Sequence, residues 1–175
     1  MSFFLPGKSR CFLCGNAIAT RAEAGRVPYA APDDVGDDAK YGRSFVHRRC
    51  WDSWPNRARW AQSAARLLRR ASDRIVSDEE TTFVLEGART GSAMLVDTGL
   101  LIEAEMSTAE MGVLRDTLLG GEGGELAVGA YRWQVTTTAD AMTIESWQDG
   151  ELVERWSLTE ADRQRWTRVL SAAVR

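Results

Sequence analysis

The chain has 175 residues, 44% of them hydrophobic and 27% charged, a balance that suits a globular protein of one domain or two small ones. Its net charge of −3 conceals a division: residues 1–75 hold 14 Lys and Arg against 7 Asp and Glu, whereas residues 76–175 hold 8 against 18. The apolar run Phe3-Phe4-Leu5 stops at Pro6-Gly7, short of a signal-peptide core, and no stretch approaches the roughly 18 apolar residues of a membrane span, so a soluble, cytoplasmic protein is expected.

Taken in chain order, the first feature is Cys11-Phe12-Leu13-Cys14-Gly15, a CxxC pair on a chain whose three cysteines cannot all form disulfides with one another. In a reducing compartment such a pair with a distant HxxC belongs to a metal site more often than to a disulfide framework. Gly25 to Gly42, with Pro28, Pro32 and the acidic pairs Asp33-Asp34 and Asp37-Asp38, reads as a solvated loop or loose hairpin. His47-Arg48-Arg49-Cys50 follows, and then Trp51-Asp52-Ser53-Trp54-Pro55, where the proline either ends a short helix or opens the next. A long amphipathic helix is expected over residues 55–74, with Trp60, Ala64, Leu67, Leu68, Ala71 and Ile75 on the apolar side. Arg59, Arg66, Arg69 and Arg70 gather on the other side as a basic face.

Ser77-Asp78-Glu79-Glu80 reads as a boundary, which divides the chain into residues 1–77 and residues 78–175. Strands are expected near Thr81–Glu86, Ser92–Val96 and Leu100–Met106, and a helix from Ser107 to Leu119 opened by the capping pair Ser107 and Glu110. The glycine-rich run 120–124 is a loop without the Lys-Ser/Thr of a phosphate-binding P-loop. Strands resume over Glu125–Thr138 and Met142–Gln148, and Asp149-Gly150 signals a two-residue hairpin into Glu151–Ser157. The simplest register there sets Glu145 opposite Glu154, a like-charge pair that favours a bulge or a longer loop instead. A last helix starts at Thr159 with Asp162 as its capping partner and buries Trp166, Val169, Leu170, Ala173 and Val174. The two capped helices share apolar residues at equivalent positions, offset by 52 residues, a pattern that suits a duplicated unit but also any capped amphipathic helix. The fold class is therefore α+β: a metal-stabilised N-terminal part with a long helix, then an antiparallel sheet domain with one or two covering helices.

Structural zinc takes four ligands in a tetrahedral array, and three thiolates with one imidazole satisfy it without an open position. Cys11, Cys14, His47 and Cys50 form that set, with Gly15 permitting the tight turn after the first pair. A CxxCG knuckle, an intervening hairpin and an HxxC pair entering a helix resemble the treble-clef zinc fingers, the LIM-like Cys3His kind in particular. The resemblance covers residues 11–55 and implies one structural Zn2+ on these four residues, with Phe45 and Trp51 packing beside them. The intervening stretch is longer than in a LIM half and no second zinc module follows, so LIM function is not implied. Treble clefs serve several partner classes, so the fold alone names none.

His47 is the only histidine, and as a ligand it leaves no imidazole for acid–base or nucleophilic catalysis, so no enzyme is expected. The expected function is a protein-interaction or adaptor module, since Arg and Trp are enriched at protein interfaces. The alternative is a nucleic-acid-binding regulator that uses the Arg/Trp-rich helix after the metal ligands. Residues 146–172, one hairpin and one helix, resemble the end of Whirly-like single-strand-binding domains, whereas the acidic sequence pI of about 5.3 opposes polyanion binding. Neither a membrane nor a small-molecule substrate is implied.

Overall fold

The computed structural model describes residues 4–87, 92–138 and 141–175, so that Phe3 lies outside it. The fold is α+β, with antiparallel sheets of two, four and four strands among the described residues. No helix among them is long and apolar enough to cross a membrane. The chain divides into two compact units, one comprising Met1–Asp73 with Thr98–Leu101, the other Arg74–Asp97 with Ile102–Arg175.

In the first unit β1 (Ala24–Arg26) pairs antiparallel with β2 (Phe45–His47), Ala24 opposite His47. The segment between them, expected as a loop or loose hairpin, does connect two antiparallel strands, but it also folds into a short helix α1 (Pro32–Val35) and a 3₁₀ turn (Gly36–Tyr41). Pro32 presets the first helical position, Asp33 and Asp34 sit in the first turn, and Val35 is buried. The acidity of this segment is used internally as well: the Asp34 carboxylate accepts from Ser63 Oγ at 2.6 Å and from Arg66 at 2.8 Å. Ser63 Oγ in turn accepts from the Ala31 N–H at 2.9 Å. A short helix α2 (Arg48–Asp52) and the long helix α3 (Arg57–Ala71) flank a turn that contains Pro55.

Helix α3 ends at Ala71, earlier than expected, and its buried residues are Trp60, Ala61, Ser63, Ala64 and Ala65. Leu67 and Leu68 are only half-buried and Ala71 is exposed. Small residues line this side because α1 packs against α3 and the Ser63 hydroxyl must reach both Ala31 and Asp34. Ile75 belongs to a strand, because its backbone finds a partner in Leu85.

The second unit contains β3 (Ile75–Asp78), β4 (Thr82–Glu86), β5 (Ser92–Asp97) and β6 (Ile102–Ser107), paired in that order, followed by α4 (Thr108–Gly120). A second sheet, in the order β10-β9-β8-β7, comprises β7 (Gly124–Val128), β8 (Tyr131–Thr137), β9 (Met142–Gln148) and β10 (Glu151–Leu158), followed by α5 (Glu160–Ala173). Residues 77–78, read from sequence as part of a boundary, pair with Val84 and Phe83. Four strands and a helix thus occur twice in succession, and both helices start in a complete capping box, Ser107 with Glu110 and Thr159 with Asp162. Leu114 and Leu118 in α4 occupy the places of Trp166 and Leu170 in α5, and all four are buried.

The Asp149-Gly150 turn has positive φ at both residues, 52° and 81°, as a two-residue primed turn requires. Past Leu152 the register shifts by a bulge, so Glu145 faces Arg155 and accepts its Nε–H at 2.7 Å in place of meeting Glu154. The like-charge conflict is removed by one extra residue in β10.

Glu110 reaches beyond its own cap. Its carboxylate accepts from the Ser107 N–H at 2.6 Å and from the Gly129 N–H at 2.8 Å, fastening the start of α4 to the β7–β8 turn. Burial pushes its pKa upward, but the backbone donors of Ser107 and Gly129 outweigh it and hold the group below the usual carboxylate range. A depressed folded pKa stabilises the fold above the unfolded value, and that contribution is lost as pH falls through the folded one. Glu110→Gln should therefore cost about 1 kcal/mol at neutral pH, after allowance for partial solvation. Thermal denaturation at pH 7 and near pH 3 should show the difference from the parent shrinking at the acid end, and a difference independent of pH would contradict this role.

Candidate metal centre

The knuckle is built by a tight backbone turn. Gly15 has φ of 73°, where a side chain is unfavourable, and its N–H donates to the Cys11 carbonyl at 2.8 Å. The Cys11 N–H donates to the Asn16 carbonyl at 2.9 Å, and Arg10 pairs with Ala17 in a short antiparallel bridge. The Phe12 N–H donates to the Phe45 carbonyl at 3.1 Å, which fixes the knuckle beside β2. His47 ends β2 and stands at the N-cap of α2, and Cys50 follows within that helix.

These elements bring together the four residues singled out from sequence. One ligand atom from each of Cys11, Cys14, His47 and Cys50 lies within 4.8 Å of the others, a cluster able to hold one metal ion. His47 Nδ1 is 3.5 Å from Cys14 Sγ and 4.0 Å from Cys50 Sγ, so Nδ1 is the ring nitrogen that faces the thiols. Cys11 and His47 are buried, while Cys14 is exposed. All three cysteines are free of disulfides.

The thiols differ in acidity. The Asn16 backbone N–H holds Cys14 down at about 7, against the effect of its own burial and with help from Cys11, His47 and Cys50. Burial, reinforced by the neighbouring thiols, pushes Cys50 up to about 11. Cys14 thus has more thiolate character at neutral pH than Cys50, and a cation bound by both must displace a proton from Cys50.

An aromatic cluster supports the centre. Phe12 stacks on Tyr41 at 4.6 Å and meets Trp54 edge-on at 5.6 Å, and Trp54 lies 5.5 Å from Trp51 and 5.7 Å from Trp60. Trp51 and Trp60 are buried and donate their indole N–H groups to the carbonyls of Gly99 (2.7 Å) and Pro28 (3.0 Å). Phe45 packs edge-on against Phe4 at 5.4 Å.

Comparison with protein-family models, with curated proteins and with solved structures finds no match to this chain. What the centre can do is read from its donor set.

The basic residues singled out from sequence have unequal surroundings. Arg59 and Arg70 are exposed and Arg69 is half-buried, but Arg66 is committed to Asp34 within the same unit. The Asp34 carboxyl is held below the ordinary range by the Ser63 hydroxyl first, then by Arg66, with a further contribution from the charge on Arg70.

Sequence reasoning missed two features. One is the turn Thr98–Leu101, whose carbonyls accept hydrogen bonds from Arg48 and Trp51, the residues beside the candidate ligands His47 and Cys50. The other is the fully buried Asp97, bonded to Thr82, Arg165 and Trp166. The only trace of the first in sequence is Gly99, an ordinary turn residue, and the second leaves none.

Proposed function

We propose that the chain is a non-enzymatic, cytoplasmic protein-interaction module whose N-terminal unit is a LIM-like treble-clef finger holding one structural zinc on Cys11, Cys14, His47 and Cys50. The observation that carries this reading is the convergence of three thiols and an imidazole on one point. Tetrahedral zinc with bonds of about 2.0–2.3 Å sets its ligand atoms roughly 3.5–3.8 Å apart, close to the 3.5 and 4.0 Å from His47 Nδ1 to the sulfurs of Cys14 and Cys50. Four protein ligands close the coordination sphere, so zinc here supplies folding free energy and no site for water activation. The only histidine is used in doing so.

Between a protein and a nucleic acid as partner, the placement of the indoles favours a protein. Stacking on bases needs an exposed aromatic face, whereas Trp51 and Trp60 are buried and Trp54 is wedged between them. Arg66 already has an acidic partner. A partner with a few carboxylates facing Arg59 and Arg70 suits this surface better than a continuous phosphate backbone does.

Replacing Arg59, Arg66, Arg69 and Arg70 together by Gln should leave the helical signal intact and cost no more than about 1–2 kcal/mol, because the Arg66–Asp34 pair is solvent-screened. The same variant should weaken partner binding. Precipitation or loss of helicity would make the cluster structural. Electrophoretic-shift measurements with single- and double-stranded oligonucleotides at two salt concentrations should show no complex. A complex that weakens steeply with salt would replace the protein-partner reading with a nucleic-acid one.

A further inference from the structure

The turn Thr98–Leu101 is part of the first unit although it is far from the rest of that unit in sequence. The Gly99 carbonyl accepts two hydrogen bonds, from Trp51 Nε1 at 2.7 Å and Arg57 Nε at 3.1 Å. The Leu100 carbonyl accepts from Arg48 Nη1 at 3.1 Å, and Thr98 Oγ1 donates to the Ala61 carbonyl at 2.8 Å. Leu101 adopts φ of 57°, a left-handed conformation unfavourable for leucine that its surroundings must enforce. Its side chain fills the space left by Gly25, where an added Cβ would meet Leu101 Cδ1 at 2.5 Å.

Two of these donors are direct neighbours of metal ligands. Arg48 follows His47, and Trp51 follows Cys50, in a helix of only five residues, Arg48–Asp52. A helix that short has no stability of its own, so what holds its ends in place decides where its side chains point. The same short segment thus presents an imidazole and a thiol to the metal and a guanidinium and an indole to the turn.

We propose that the metal centre and the turn 98–101 are thermodynamically coupled through α2: loading the centre fixes Arg48 and Trp51 in the positions that clamp the turn, and the clamped turn in return raises the affinity of the centre for its metal. Metal loading is thereby reported at a loop about fifty residues away in sequence, a regulatory link built from backbone carbonyls. The inference rests on the zinc reading of the four ligands. Linkage requires the effect to be reciprocal, which makes it measurable from the metal side alone.

The test is the zinc affinity of the full chain, measured by competition with a chromophoric chelator. It compares the parent, a variant in which the four-residue turn 98–101 is replaced by Asn-Gly, and Arg57→Gln. Asp97 and Ile102 are paired directly opposite each other, so a two-residue turn closes the same hairpin without changing strand register. The shortened turn should weaken zinc binding about tenfold, within the usual range of coupling between sites, and Arg57→Gln should weaken it by a smaller factor through loss of one donor. Glu151→Gln, exposed at the start of β10, should bind zinc as the parent does. Equal affinity of parent and both turn-directed variants overturns the coupling while the zinc reading stands. A parent chain that binds no zinc overturns both.

Discussion

Stripping zinc from the full chain, or replacing Cys14 or Cys50 by Ser, should unfold the first unit. Its regular structure is slight: two strands of three residues each, helices of four and five residues, and one long helix. None of the shorter pieces is stable in water by itself. Its core, centred on Ile18, Val27, Val46, Trp51, Trp60 and Ala64, draws its residues from all of these pieces and includes the ligand Cys11. Scaffolds of this size require a staple, and structural zinc supplies binding free energy of about 10–16 kcal/mol in small zinc modules, more than such a core provides unaided. The expected readout is one zinc per chain by elemental analysis of freshly purified protein. In the Ser variants, loss of that metal should accompany a red shift of the fluorescence contributed by Trp51, Trp54 and Trp60. Freshly purified parent without tightly held metal would sink the prediction. The second unit contributes no ligand and should keep its strand signal throughout.

A comparable loss is expected in the second unit from Asp97→Ala. Asp97 is fully buried at the end of β5 and accepts hydrogen bonds from Thr82 Oγ1 and Trp166 Nε1, each at 2.8 Å. Arg165 lies 3.2 Å from it, donates to Thr82 Oγ1 at 2.7 Å and is shared with Asp162 at 2.8 Å. Burial acts to lower the Arg165 pKa, but the charges and hydrogen bonds of Asp97 and Asp162 prevail and raise it. Truncation at residue 97 leaves an indole N–H, a hydroxyl and part of a guanidinium without their acceptor in a dry setting. Such a change costs about 3–5 kcal/mol, most of it the penalty on the stranded partners. Asp97→Asn keeps the shape and one acceptor and should lose about half as much. Chemical denaturation followed by a strand-sensitive signal measures both, and an unchanged midpoint for Asp97→Ala would show that the network contributes nothing net. The network ties α5 to β4 and β5, so its loss should also loosen the docking of Trp166.

Sequence by itself determined what depends on a few adjacent residues. Both capping boxes were legible because the side chain and the backbone N–H that satisfy each other are three residues apart. Asp149-Gly150 announced its turn through the backbone freedom of the residues, and the like-charge pair Glu145 and Glu154 argued against the simplest register, leaving a bulge or a longer loop, of which the structure has the bulge. The four clustered candidate ligands were legible as two short pairs, because each pair is local even though Cys14 and His47 are 33 residues apart.

Tertiary structure alone decided the rest. Whether Ile75 extended the long helix or began a strand depended on a partner ten residues further on, and pairing with Leu85 settled it. The acidic stretch between the ligand pairs became partly helical because Asp34 found Ser63 and Arg66 on α3, which also removed one arginine from the basic face. The buried side of α3 keeps Trp60 and Ala64 of the expected stripe but takes Ala61, Ser63 and Ala65 in place of Leu67, Leu68 and Ala71, since close approach of α1 counts for more there than hydrophobic periodicity. Asp97 gave no signal and the turn after it only the ordinary Gly99, because an acceptor for buried donors is recognisable only once the donors have been brought to it. Local chemistry is written within one turn of chain, whereas satisfaction of buried polar groups is a property of the packed whole.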